Sequence, residues 1–181
     1  MTTNTKPKTT SPKAPSTQMD VASELTLHAP APDFQDACVV DPHTDQPHPL
    51  SLRSLRGKTV ILYFYPKDDT PGCTTQACAL RDEWTTFTER PDIALFGVSP
   101  DSPEKHRAFI DKYNLPFSLI SDPERKLIEA YRVWVEKSLY GNKYMGTERS
   151  TFVIAPDGTL QAILRKVAPK QHFKKLLKAL K

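Results

Sequence analysis

At 181 residues, with 38% hydrophobic and 25% charged, the chain has the length and apolar content of one soluble domain, and no apolar run approaches a membrane span. Its net charge of +4 is unevenly spread: residues 1–20 carry three Lys and one Asp, residues 165–181 carry seven basic residues and no acid, and the body between is net acidic. A basic tip on an acidic body lacks the basic stripe with interleaved aromatics that nucleic-acid binding needs, so that end reads as a solvated helix face.

Residues 1–24 are rich in Thr, Pro, Lys and Ser, with almost nothing to bury. They are expected to be a disordered tail ahead of a single domain over residues 25–181. The start of the chain has lysines but no apolar core after them, so a secretory signal is not expected and a cytoplasmic address follows. Order should begin near "APAPDFQDACVV". The segment "DPHTDQPHPL", which holds His43 and His48, reads as an exposed loop.

The run "TVILYFY" (59–65) is apolar without alternation and rich in β-branched and aromatic residues, the pattern of a central strand covered on both faces. A helix is expected from Pro71 to about Arg90. "IALFGV" (93–98) reads as a second buried strand. In "SPEKHRAFIDKYN", Ser102 is a candidate N-cap and Pro103 fits the first helical position. A strand at 117–120 and a helix at 123–133 follow, and the strand–helix alternation predicts parallel pairing. "STFVIA" and "LQAILR" flank "PDGT" as a β-hairpin. The chain ends in "KQHFKKLLKALK", with Phe173, Leu176, Leu177 and Leu180 on one helical face. The expected fold is α/β and thioredoxin-like, with a central mixed sheet flanked by helices and an extra strand and helix inserted.

Three cysteines, an odd number, argue against a secreted disulfide framework. Closely spaced cysteines in a reducing compartment indicate redox chemistry or metal. Metal is disfavoured because there is no second cysteine pair and the five histidines are scattered. No cofactor is expected.

The informative stretch is "YPKDDTPGCTTQAC". Cys73, Ala77, Leu80, Trp84 and Phe87 fall on one helical line, a core-facing stripe, and Cys78 lies about 140° around the helix from Cys73. Thr70 is a candidate N-cap and Pro71 suits the first helical position, which puts Cys73 where free backbone N–H groups favour an anion. Five residues along a helix separate two Cα atoms by roughly 8.5 Å. A disulfide wants about 4.4–6.8 Å. A bond between Cys73 and Cys78 would therefore require the first turns to unwind.

"YPKDDTPGC" resembles the Pro-x-x-x-Thr-x-x-Cys signature of peroxiredoxins, here Pro66, Thr70 and Cys73. The second cysteine five residues on, the upstream "APDF", "GVSPDSPEKHRAF" and the late "RSTFVI" are similar to the bacterioferritin comigratory protein, or peroxiredoxin Q, branch. The resemblance implies thiol-dependent reduction of hydrogen peroxide and alkyl hydroperoxides, with Cys73 peroxidatic, Cys78 resolving, Arg149 as the active-site arginine and a thioredoxin-like dithiol as reductant. In that scheme Thr70 Oγ can accept from the peroxide or donate to the thiolate, and Pro66 shields the sulfur. An intramolecular cysteine pair needs no partner subunit, so a monomer or weak dimer is expected, without nucleic acid or membrane. Cys38 matches no part of the signature and reads as a buried structural cysteine on an early strand.

The alternatives are a thioredoxin-like dithiol-disulfide oxidoreductase, a glutathione peroxidase and a non-enzymatic redox-sensing or holdase module. The first favours a shorter Cys-x-x-Cys spacing. The second lacks its surrounding signature here. The third would leave activity independent of Cys73.

Overall fold

The first strand, β1 (Ala37–Val40), pairs antiparallel with a short edge strand β2 (His48–Leu50) and leads through a 3-10 turn at Leu52–Leu55 into β3 (Thr59–Phe64). All six residues of β3 are buried, as expected of an unalternating run with helices or loops on both sides. The computed structural model describes residues 24–181, so the tail expected over residues 1–24 lies outside the described residues except for Glu24.

Next come α1 (Pro71–Asp82), α2 (Thr85–Thr88), β4 (Ile93–Ser99), α3 (Pro103–Tyr113), β5 (Ser118–Ser121) and α4 (Lys126–Ala130). A hairpin β6 (Trp134–Leu139) and β7 (Asn142–Thr147), then β8 (Ser150–Ile154), β9 (Leu160–Leu164) and α5 (His172–Ala179), complete the chain. The main sheet has the order β2-β1-β5-β4-β3-β8-β9. Its centre, β3, β4 and β5, is parallel, and β1 and β8 flank it antiparallel, giving a mixed sheet.

Alternation along β3 divides the core. Val60, Leu62 and Phe64 face a layer built from α4, the 3-10 turn and Tyr131. Ile61 and Tyr63, with Tyr65 just beyond the strand, face Cys73, Ala77 and Leu80 of α1, Phe109 and Ile110 of α3, and Leu176 of α5. Phe173 on α5 and Leu180 at its C-cap pack against that second layer, Leu177 is half-buried, and Lys174, Lys175 and Lys178 are exposed.

Several boundaries differ from expectation. The helix expected over Pro71–Arg90 breaks after Asp82, with Glu83 leaving helical geometry, and resumes as α2. Trp84 is half-buried at the junction and packs on Phe87 and Phe117. The helix expected over 123–133 is shortened to Lys126–Ala130. Asp122 to Arg125 form a turn closed by Arg125 N–H on Asp122 O, and the Asp122 carboxylate accepts the Ile128 N–H. Ser102 and Pro103 occupy the N-cap and first positions of α3 as expected, and the Ser102 hydroxyl accepts from Lys105 N–H. His43 and His48 are exposed, but His48 lies in strand β2 rather than in a loop.

The β6–β7 hairpin was not anticipated. Its two-residue turn, Tyr140-Gly141, has positive φ at both positions (51° and 82°), the geometry that matches strand twist in tight hairpins. At the base of the hairpin, Glu148 N–H donates to Val133 O, and its carboxylate accepts from Arg165 and Ser150. Among the described residues, no helix is long and apolar enough to cross a membrane.

Candidate active site

Beyond β3 the sequence places Pro66, a residue with no N–H to continue the ladder, and the loop to Thr70 begins there. The loop is held from beneath by Asp68. Its carboxylate accepts from the Tyr65 hydroxyl at 2.6 Å and meets His106 Nδ1 at 2.6 Å, while its backbone N–H donates to Asp101 at 2.8 Å. His106 Nε2 lies 3.1 Å from the Ile120 carbonyl, so this nitrogen carries a hydrogen. Burial, then the charge of Asp68, pushes the Tyr65 phenol well above its ordinary range, which keeps it a donor. The next residue, Asp69, adopts left-handed backbone geometry (φ 55°).

Thr70 takes the N-cap position of α1 in extended geometry, with Pro71 next. Its side chain does not cap the helix. Thr70 Oγ1 donates to the Lys67 carbonyl at 3.0 Å, which commits its hydrogen and leaves its lone pairs free to accept. Of the two roles expected for this hydroxyl, the geometry leaves accepting open and donation to the thiolate taken.

Cys73 is buried at the top of the core-facing stripe, with Ala77, Leu80 and Phe87 below it. Arg149, immediately before β8, reaches across the sheet end. Its Nη2 lies 3.3 Å from Cys73 Sγ, and its Nη1 donates to Gln76 Oε1. The backbone fixes the arginine as well, since Val167 N–H donates to Arg149 O. Gly72 leaves the room: a Cβ there would sit 3.2 Å from Arg149 Nη2 and 3.4 Å from Pro169 Cγ. A guanidinium against a buried sulfur stabilises negative charge on it and offers further donors to whatever oxygen approaches.

Cys78, half-buried in the same helix, is off that stripe. All three cysteines are free thiols, and α1 is intact from Pro71 to Asp82, so the pair is in the conformation that helix geometry keeps unbonded. Pro66 is half-buried at the start of the loop.

Sequence reasoning missed several residues of the site. Gln76 lies one turn beyond Cys73, fully buried, and its spacing was the available signal. Lys137 reaches the Thr147 carbonyl from β6. Burial, then the charge of Arg149, pushes its ammonium below its ordinary range. His172, at the start of α5, is buried against Tyr63, with Nε2 2.7 Å from Thr151 Oγ1. Neither Lys137 nor His172 carried a local sequence signal.

Cys38 lies on β1 as expected but is half-buried rather than buried. It lines a surface cavity of about 570 Å³ with Asp33, Asp122 and Glu124, away from Cys73 and Arg149. Burial, then the charge of Glu104, pushes the Cys38 thiol up, which disfavours it as a nucleophile.

A profile of the AhpC/TSA family matches residues 27–163. Peroxiredoxin Bcp of Bacillus subtilis is 50% identical over 137 residues, covering 76% of this chain and 87% of that protein. The chloroplastic peroxiredoxin Q of Sedum lineare is 36% identical over 171 residues, covering 94% and 86%. Among solved structures, the bacterioferritin comigratory protein of Xanthomonas campestris, studied for alkyl peroxide reduction, superposes with a TM-score of 0.74 at 34% identity, over 86% of this chain and 95% of that one.

Proposed function

We propose, from the premise that this chain belongs to the AhpC/TSA family and to the Bcp and peroxiredoxin Q branch within it, that Cys73 carries its peroxidase reaction and Cys78 resolves the oxidised sulfur. The chain is a thiol peroxidase of thioredoxin-like fold, acting on peroxides with a thioredoxin-type reductant. The observation that supports these residue roles is the contact of Arg149 Nη2 with Cys73 Sγ at 3.3 Å in a buried site.

The Cys73 thiolate attacks one oxygen of the peroxide in line with the O–O bond. The S–O bond forms as the O–O bond breaks, and the leaving oxygen departs as alcohol or water once protonated. Negative charge moves from sulfur to that oxygen in the transition state. The guanidinium of Arg149, held by Gln76, is fixed where it can serve both ends of that displacement. Thr70 Oγ1, its own hydrogen donated to Lys67 O, accepts from the peroxide. Pro66 adds a rigid wall with no N–H.

Cys73 is then a sulfenic acid. The Cys78 thiolate attacks the Cys73 sulfur, the S–O bond breaks, and the oxygen leaves as water after protonation. The disulfide forms only once the first turns of α1 open. An external dithiol returns both sulfurs to thiols by exchange, taking the disulfide itself. Hydrogen peroxide and alkyl hydroperoxides both fit this chemistry.

The test is a titration of the fully reduced protein with one equivalent of hydrogen peroxide, read by intact mass and peptide mapping. A loss of two hydrogens with Cys73 linked to Cys78 is expected. Both thiols remaining reduced would overturn the assignment.

A further inference from the structure

Tyr113, the last residue of α3, touches both ends of the segment that carries the two cysteines. Its hydroxyl donates to Asp69 Oδ1 at 2.5 Å, and its carbonyl accepts from Arg81 Nη1 at 2.7 Å. Asp69 immediately precedes the N-cap of α1, and Arg81 lies in its last turn. Between the two anchors run residues 70–80, with Cys73 and Cys78 inside them. Lys112 adds a second contact to the upstream anchor, at 2.7 Å on Asp69 Oδ2. These two donors, Lys112 first, hold the Asp69 carboxyl below its ordinary range, so it is ionised there.

Left-handed geometry at Asp69 is an unfavoured state for a residue with a side chain, and it persists where surrounding contacts fix it. The hydroxyl of Tyr113 and the ammonium of Lys112 are those contacts. At the other end, Arg81 fastens the last turn of α1 to the same residue of α3. A helix pinned at both ends gains less freedom when its middle opens, because the loop it becomes is already closed.

We infer that Tyr113 is a positioning residue for the resolving step: it pins both ends of the segment that must unwind, confines the opening to residues 70–80 and holds α1 closed against it. The inference rests on the reading of Cys78 as the resolving thiol. It assigns Tyr113 no contact with peroxide or sulfur. The pins act on the rate at which Cys78 reaches Cys73, and thus on how long a sulfenic acid at Cys73 is exposed to a second peroxide.

The experiment compares the wild type with Tyr113→Phe, which keeps the ring against Phe109, and with Arg81→Met, which keeps the aliphatic stem. Amide hydrogen exchange across residues 74–80 of the reduced protein reads the opening without any oxidation chemistry. Rapid-quench mass analysis after one equivalent of hydrogen peroxide separates sulfenic acid formation from disulfide formation. Exchange and disulfide formation should each rise by about two- to five-fold in both variants, the range for loosening a charged contact at or near the surface, with sulfenic acid formation unchanged. Wild-type exchange and wild-type disulfide rates in both folded variants would overturn the role of Tyr113 and leave the resolving role of Cys78 standing. A wild type that forms no Cys73–Cys78 bond would overturn both, whatever the exchange rates.

Discussion

Arg149 and Cys73 are 76 positions apart in the chain, and a guanidinium nitrogen of one lies 3.3 Å from the sulfur of the other. The same guanidinium donates to Gln76, so the arginine is bound to two residues of α1, one turn apart. Opening the first turns of α1 would release both contacts together. The geometry proposed to activate the sulfur and the geometry proposed to join the two sulfurs therefore exclude one another.

Arg149→Met should lower the second-order rate of Cys73 oxidation by about a hundred- to a thousand-fold, the cost of removing a preorganised donor at developing charge. Arg149→Lys should recover little, because one ammonium cannot hold Gln76 and the sulfur as a planar fork does. Stopped-flow oxidation with hydrogen peroxide measures both. A loss smaller than about five-fold in the methionine variant would remove Arg149 from the chemistry.

Gly72→Ala tests the space the arginine occupies. The new methyl would lie 3.2 Å from Nη2 and 3.4 Å from Pro169, so the guanidinium has to shift. A displacement of this kind costs about ten- to a hundred-fold in rate when it misplaces a catalytic donor. Stability should change little, since helix position 72 is half-buried and alanine favours a helix. An unchanged oxidation rate would show that the guanidinium has room to spare.

Cys78→Ser should react with the first equivalent of peroxide and then accumulate sulfenic or sulfinic acid at Cys73, detected by mass. Sustained turnover with a thioredoxin in that variant would defeat its resolving role. Cys38→Ser, on β1 and away from the site, should keep turnover within about two-fold of wild type, as surface and half-buried substitutions generally do.

His172 makes stability depend on pH. Burial, with a smaller push from the charge of Arg149, takes its imidazole from an ordinary value near 6.5 down to about 3. Between those values the unfolded chain binds a proton that the native chain does not, so the native state is favoured fully above 6.5 and loses stability as pH falls toward 3. The slope is about 1.4 kcal/mol per pH unit. Urea unfolding at pH 7 and pH 5 should show the wild type losing about 2 kcal/mol more than His172→Gln over that interval. Equal losses in the two proteins would mean that His172 takes up its proton alike in the folded and unfolded chains, and would overturn the depressed value.

Much of this was legible in one dimension. The unalternating run 59–65 had to be an interior strand because every residue in it needs burial. The stripe Cys73, Ala77, Leu80 and Phe87 is periodic, and periodicity alone faces it to the core. The five-residue separation of Cys73 and Cys78 sets, through helix geometry, that they cannot bond while α1 is whole. Local turn chemistry was read less well. Asp122, whose carboxylate takes a backbone N–H, shortened α4, and Tyr140-Gly141 closed a hairpin between strands whose exposed faces gave little pattern.

What the sequence determined by itself is the set of local states: which runs are strands, which face of α1 is buried, where its helix begins, and that its two thiols are held apart. Only the tertiary structure decided which distant groups meet at Cys73 and at the ends of its helix. Arg149, His106 and Tyr113 are brought to that region by the pairing of β3 with β8 and by the packing of α3 beside α1. Periodicity is a property of neighbours a turn apart, whereas a guanidinium aimed at a sulfur or a phenol holding a carboxylate depends on strand order and packing between elements.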